Sequence, residues 1–259
     1  KTYKVIKTGN MYPFYHRIIE DKNFIFQLTD GPGLHTYYFR VQTKSSLNFI
    51  PFLLSQKAYF KKIQTQLPII WIYYGLMLIM LIYNLFVFLA IRDRSYLLYV
   101  AFIAMYILMQ MTLNGYSFQY LWPNAIWWAC NALPFFICIS VALSALFMRD
   151  VIDMPRNYKI VNRLFLFGIT APSLVWAGAS LLVEYALAIR VATAMVGVLS
   201  VIILSGAAYT MFRGSRPARF VVIGFIGLVI GIVLYVLKTF GALPEMFITE
   251  WGVQIGSSM

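Results

Sequence analysis

Residues 83–99 read YNLFVFLAIRDRSYLLY. An apolar run carries a single amide, Asn84, meets Arg92, Asp93 and Arg94, and turns apolar again at once. Two guanidinium groups and a carboxylate do not rest in hydrocarbon, so the three charges mark a tight, water-facing turn between two membrane spans. Ser95 is read as the N-cap of the second span, a position that favours a small side-chain acceptor.

The rest of the chain supports that reading. Of its 259 residues 61% are hydrophobic and 12% charged, against about 45–50% and about 25% in ordinary soluble domains. The excess is uneven. Residues 1–66 are mixed and carry ten of the 21 Lys and Arg, whereas long apolar runs follow from Pro68 onward. A net charge of +12 invites a nucleic-acid reading. The remaining basic residues, however, flank hydrophobic runs as headgroup and topology anchors, and no basic-aromatic recognition motif is present, so nucleic acid is not expected as a partner. Cys130 and Cys138 fall in one apolar run. Eight residues of helix hold them about 12 Å apart, too far to pair.

Six runs are long enough to cross a bilayer, which takes about 20 apolar residues. They lie at roughly 69–91, 95–113, 125–148, 164–183, 187–212 and 218–239, and a seventh begins near Ile248. That last run holds about ten residues, half a membrane at about 1.5 Å each, so the natural chain is expected to continue past Met259.

Orientation follows from the short loops. Arg92 and Arg94, then Arg149, Arg156, Lys159 and Arg163, then Arg213, Arg216 and Arg219 place nine basic residues on one side; the other offers Arg190 and Lys238. The positive-inside rule puts the nine in the cytoplasm, and with them the C-terminus after a seventh span. The N-terminal piece then lies outside. Its own ten charges do not oppose this, because long translocated segments largely escape the rule. Trp71, Tyr73 and Tyr74, with Tyr116, Tyr120, Trp122, Trp127 and Trp128, collect at the outer ends of the first three spans, as amphipathic rings do at headgroup depth.

Residues 1–54 read as short strands. HTYYFRVQT sets Tyr37, Phe39 and Val41 on one face and Tyr38, Arg40 and Gln42 on the other, a half-buried pattern. TDGPG before it is a turn, YKVIK and NFIFQL are further strands, and Pro51 in SLNFIPFLL suits an edge. The piece is about half of a typical sandwich of about 100 residues, so further strands are expected before Lys1. The fold expected is thus a mainly α, integral membrane seven-helix bundle with its seventh span incomplete, and a partial β-sandwich outside. Residues 1–54 are expected to be the end of an extracytoplasmic sensor domain, 55–67 a linker that includes a short helix over SQKAYFKKIQTQ, and 68–259 the transmembrane domain.

Taken together, TYYFRVQTKSSLNFIPFLL, then YYGLMLIMLIYNLFVFLAIRDRSYLLYV, LNGYSFQYLWP and TEWGVQIGSSM resemble the bacterial seven-transmembrane receptors with diverse intracellular signalling modules. The most specific positions are Gly75, Tyr83, Asn84, Arg92, Asp93, Tyr96, Tyr99, Asn114, Gly115, Trp122, Pro123, Gln254, Ile255 and Gly256; residues 164–239 match in hydropathy alone. The resemblance implies a periplasmic jelly-roll-like domain for a small ligand such as a carbohydrate. It also implies a seven-helix relay in the bacterial inner membrane and a cytoplasmic output in cis: a histidine kinase, a diguanylate cyclase or a phosphatase, some of them parts of two-component systems. That output is expected to follow Met259.

Several residues invite more than one reading. Asn84 is either interhelical glue or a switching contact. Asn114 and Gly115 end the second span as a left-handed cap, in a loop expected to touch the outer domain. Glu184, Arg190 and Lys238 form an outward anion pocket or snorkel at the interface. Gly227 and Gly231 make a GxxxG step that packs within the bundle or across a homodimer. Pro134 and Pro172 kink spans three and four, as hinges or as static shape. Tyr37, Tyr38 and His35 line a sugar site or pack a sheet. His16 and His35 stand without clustered carboxylates or cysteines, so no metal site is expected.

No H-E-x-x-H and no histidine in any span argues against enzymatic chemistry in this segment, and no cofactor is implied. The first reading is a signalling receptor that senses an extracytoplasmic ligand. The alternatives are a small-molecule transporter or channel, or a membrane scaffold.

Overall fold

The computed structural model describes residues 5–28, 31, 33–43, 51–212 and 226, apart from the side chains at 198–200, 203, 204, 207, 210 and 212. Among the described residues four helical stretches are long and apolar enough to cross a membrane: Gln56–Ile91, Arg94–Leu113, Ile126–Val151 and Lys159–Ala179. The chain is a multi-pass membrane protein. Its helices are α1 (Gln56–Ile91), α2 (Arg94–Leu113), the short α3 (Tyr116–Tyr120), α4 (Ile126–Val151), α5 (Met154–Asn157), α6 (Lys159–Arg163), α7 (Ala171–Ala179) and α8 (Tyr185–Phe212). A wide π-helical stretch, Leu164–Thr170, joins α6 to α7. The sixth and seventh expected spans fall outside the described residues, as do Arg213, Arg216, Arg219, Gly227, Gly231 and Lys238.

The opening hairpin is tighter than expected. Arg92 takes the left-handed conformation (φ 60°) and donates its backbone N–H to the Phe88 carbonyl, closing α1. Asp93, not Ser95, caps α2, its carboxylate accepting from the Ser95 N–H at 2.9 Å. The correction has a simple cause: with Arg92 turning the chain by itself, the second helix starts two residues earlier. The Ser95 hydroxyl is thereby freed to donate to Asp150, 2.7 Å away, at the end of α4 that the basic-residue count reads as inner.

The expected linker is not a separate element. Ser55 caps α1, accepting from the Ala58 N–H at 3.3 Å, and the helix runs unbroken through Pro68 into the first span. At about 1.5 Å per residue its 36 residues reach about 54 Å, well beyond a hydrocarbon core of about 30 Å. The polar stretch QKAYFKKIQTQ is therefore a stem standing clear of the membrane.

The bundle is built around α4, which packs against α2, the π stretch, α7 and α8, while α1 lies against α2. Small residues make that central place possible: Ala132, Cys138, Ser140, Ala142 and Ala145 are buried on several sides of α4 and let neighbouring backbones approach. Pro134 is buried within a continuous helix, and Pro172 stands exposed inside the helical stretch Lys159–Ala179, directly after its π-helical turns. Toward the inner end Phe165 and Ile169 close with Ala145, Ile152 and Met154 into one apolar cluster.

The N-terminal residues depart from expectation. Among the described residues none forms a strand. HTYYFRVQT and NFIFQL carry no regular secondary structure; they bring Phe26 and Phe39 edge to face at 6.2 Å, without a ladder between them. Alternation fixes which face a side chain takes, but a strand also needs a neighbouring backbone for its N–H and C=O groups. YKVIK and SLNFIPFLL lie partly outside the described residues.

Candidate functional site: the outer junction

Residues 9–24 are seated on the outer turn of the bundle. The Phe14 N–H donates to the Pro123 carbonyl at 3.0 Å, and its ring, 4% exposed, meets Phe118 of α3 edge to face at 5.7 Å. One turn on, Arg17 is almost wholly enclosed. Its guanidinium lies 4.5 Å from the Phe14 ring centre and 4.4 Å from that of Phe24. It donates to the Asp21 carbonyl at 2.6 Å, the Lys22 carbonyl at 2.9 Å and Asn10 Oδ1 at 3.1 Å. Burial lowers its pKa and Asp21 opposes that shift; an arginine titrates far enough above neutrality to stay charged. A cation held by two aromatic faces and three oxygens fixes the loop 10–24 in one shape.

That shaped loop touches the helical domain at further points. Lys22 Nζ lies 4.9 Å from the Tyr116 ring centre, and Gln119 Nε2 donates to the Glu20 carbonyl at 3.4 Å. The Cys130 thiol approaches the Asn10 carbonyl at 3.6 Å. On the stem of α1, the Tyr59 hydroxyl donates to Asp21 Oδ2 at 3.2 Å. Burial, then Asp21, then Tyr120 push the Tyr116 phenol up to about 12, so it stays neutral.

Asn114 and Gly115 hold this junction as the sequence led one to expect. Gly115 is left-handed at φ 80°, and a Cβ there would sit 3.4 Å from Lys22 Cβ. The Asn114 amide donates to the Tyr74 hydroxyl at 2.9 Å, tying α2 to α1. Trp71 gathers Tyr74, Tyr116 and Tyr120 at 6.1, 5.8 and 5.7 Å. Trp122 stacks on Phe136 at 6.1 Å, burying an indole N–H that has no partner among the described residues.

The other sequence candidates do not converge. Tyr37 and Tyr38 are exposed, at 41% and 80%, in the extended segment beyond the junction. Glu184 precedes α8 and Arg190 stands in its second turn, both exposed. Lys238, the third residue of that set, lies outside the described residues. Asn84 donates to the Met80 carbonyl of its own helix at 2.8 Å rather than across to a neighbour. Asn131 does likewise to Trp127 at 2.8 Å, and Gln110, fully buried, donates to Tyr106 at 2.9 Å. Among the described residues no cluster of His, Cys, Asp and Glu could hold a metal.

At the inner end Arg92 and Arg94 stand exposed, and Arg149 donates through Nε to Asn162. Sequence reading passed over Arg17, Asp21 and Asp150. The signal for Arg17 was the spacing Phe14-x-x-Arg17 followed by Glu20-Asp21 and Phe24, an arginine among rings in an otherwise polar loop.

The arrangement is that of a helical membrane domain carrying an outer segment locked onto its mouth. Residues 66–259 match the family described as 7TM diverse intracellular signalling, and residues 1–55 match the domain described as 7TMR-DISM extracellular 2. The first match spans more than half of the chain, which belongs to the seven-transmembrane receptors with diverse intracellular signalling. No curated protein and no solved structure is matched by the chain.

Proposed function

We propose that this chain is the sensing and relay portion of a bacterial inner-membrane receptor. Its N-terminal residues belong to a periplasmic β-sandwich domain that takes a small ligand, a carbohydrate by family resemblance. Ligand binding biases two arrangements of the helices through differential affinity. The inner ends then pass the change to a cytoplasmic output in cis, a kinase, cyclase or phosphatase, plausible partners being a second copy of the chain and the surrounding lipid. The segment itself carries no enzymatic step.

The observation that supports this most is the seating of residues 9–24. One rigid loop, pinned by Arg17, touches α1 through Tyr59, the outer turn through Phe14, Lys22 and Gln119, and α4 through Cys130. Movement of an outer domain would reach three helices at once. The transporter reading has less behind it, since Asn84 and Asn131 spend their amides on their own helices. The orientation, outside for the N-terminus, rests on the basic-residue count.

The test is the labelling rate of Cys130, whose thiol faces the Asn10 carbonyl. The chain is placed in nanodiscs, with Cys138→Ala, and offered a maleimide across a panel of mono- and disaccharides. At least one sugar changes the rate about threefold or more, and Arg17→Ala abolishes that dependence. Equal rates throughout, together with saccharide uptake into liposomes bearing the same protein, would replace the receptor by a transporter.

A further inference from the structure

The stretch Leu164–Thr170 is wound wider than the helices on either side of it. The Ala171 N–H donates five residues back, to the Leu166 carbonyl, and the Thr170 hydroxyl adds a bond at 3.0 Å to the Phe165 carbonyl, also five back. Two features account for the winding: Pro172, which offers no N–H and whose ring crowds the Gly168 carbonyl, and the burial pattern. Phe165, Ile169, Ser173 and Ala177 are all buried, at intervals of four. In an α-helix each such step drifts about 40° round the axis, about 120° over the set. A wide turn takes up the excess and keeps Phe165 and Ile169 on the core side.

Phe165 holds that register against a neighbour. It is wholly buried, and its ring fills the notch left by a missing side chain at Gly206 of α8. A Cβ on Gly206 would lie 2.8 Å from Phe165 Cε2 and 3.3 Å from Cζ. The register is also imperfectly satisfied: Ser173, in the first turn after the wide stretch, buries a hydroxyl with no partner among the described residues. On the far side of the stretch, α6 carries Asn162, which accepts from Arg149, and Tyr158 just before it meets Tyr209 of α8 at 6.2 Å. Both contacts depend on how α6 is rotated.

We propose that the π-helical stretch of the fourth span is a two-state element with the Phe165–Gly206 contact as its latch. Rewinding it to an α-helix withdraws one residue from the turn. The ring leaves the notch, and α6 rotates by about 100° relative to α7. Asn162 and Tyr158 are then carried away from Arg149 and Tyr209, so the state of this turn sets the arrangement of the inner ends. The proposal rests on the receptor reading for its purpose, but not for its test.

Spin labels are placed at Ile160→Cys and Leu97→Cys, both exposed at 86% and 45%, in a Cys130→Ser, Cys138→Ala background. The distance distribution is read in nanodiscs without any ligand or output domain. Wild type gives one dominant distance. Gly206→Ala raises a second population at least threefold, and Phe165→Leu added to it restores the wild-type distribution by returning space to the notch. Thr170→Val, which keeps the side-chain shape and loses only the hydroxyl bond, shifts the populations the same way by a smaller factor. An unchanged single distance in folded Gly206→Ala and Thr170→Val overturns the proposal. If Gly206→Ala does not fold, an unchanged distribution in Thr170→Val overturns it alone. Failure here leaves the Cys130 labelling result standing, and failure there leaves this one standing.

Discussion

The two ends of the helical bundle are held together by different physics. At the outer end, residues 9–24 meet the helices through rings, a caged guanidinium and backbone bonds, with Phe14 and Arg17 both nearly closed to solvent. At the inner end the apolar cluster of Phe165, Ile169, Ala145, Ile152 and Met154 is joined, nearer the surface, by half-exposed polar links: Ser95 to Asp150, Arg149 to Asn162, and the Asp93 cap. Packed aromatic and caged-cation contacts are lost together or not at all. Half-exposed polar bonds exchange with water at small net cost. The outer contacts converge on one pinned loop, whereas the exposed polar bonds at the inner end each join their own pair of residues.

The largest expected effect breaks the outer cage. Arg17→Ala removes three hydrogen bonds to oxygen and the cation between two rings, a loss of about 3 kcal/mol. Hydrogen exchange over residues 10–24 is expected to speed up by about a hundredfold while the spans stay protected. Arg17→Lys, which keeps the charge and loses the fork, falls between. If exchange is unchanged in Arg17→Ala, the outer end is no stiffer than the inner.

A smaller effect sharpens the comparison at the outer turn. Gly115→Ala forces a side chain into a left-handed position, at about 1–2 kcal/mol, and directs a Cβ toward Lys22. The melting temperature in nanodiscs should fall by about 3–6 °C, with the Cys130 labelling rate raised. The smallest effect is expected inside. Ser95→Ala gives up one half-exposed bond to Asp150, about 0.5 kcal/mol, and should leave melting within about 2 °C. A larger drop would mean that the Ser95–Asp150 bond is a structural pillar.

How legible this was from sequence differs by region in the same way. RDRS declared its turn because charges next to a long apolar run admit one explanation, and Asn114-Gly115 declared a cap because only a few residues take a positive φ readily. Whether Asp93 or Ser95 caps the second helix was not legible, since both are good caps and the choice rests on the backbone of Arg92. The stem of α1 read as a short helix of its own; that it runs on through Pro68 into the span was not legible, because a proline after a polar stretch reads as a boundary. Arg17 was hidden because its cage is assembled from Phe14, Phe24 and the distant turn around Phe118. The strand pattern of residues 36–43 reports faces, and pairing is a property of two segments. The wide turn in the fourth span left a trace, buried positions every four residues, that becomes visible only once burial is known.

One last consequence follows from the length of α1. Pro68, which cannot donate a backbone hydrogen bond, divides that rod unevenly: about 18 Å of stem above and about 35 Å of span below, down to Arg92. The Gln64 carbonyl, four residues before it, gains no helical N–H from that position, so the rod bends most easily where the polar stem meets the apolar span, while Ile70, Tyr73, Tyr74 and Met77 hold the long arm against its neighbours.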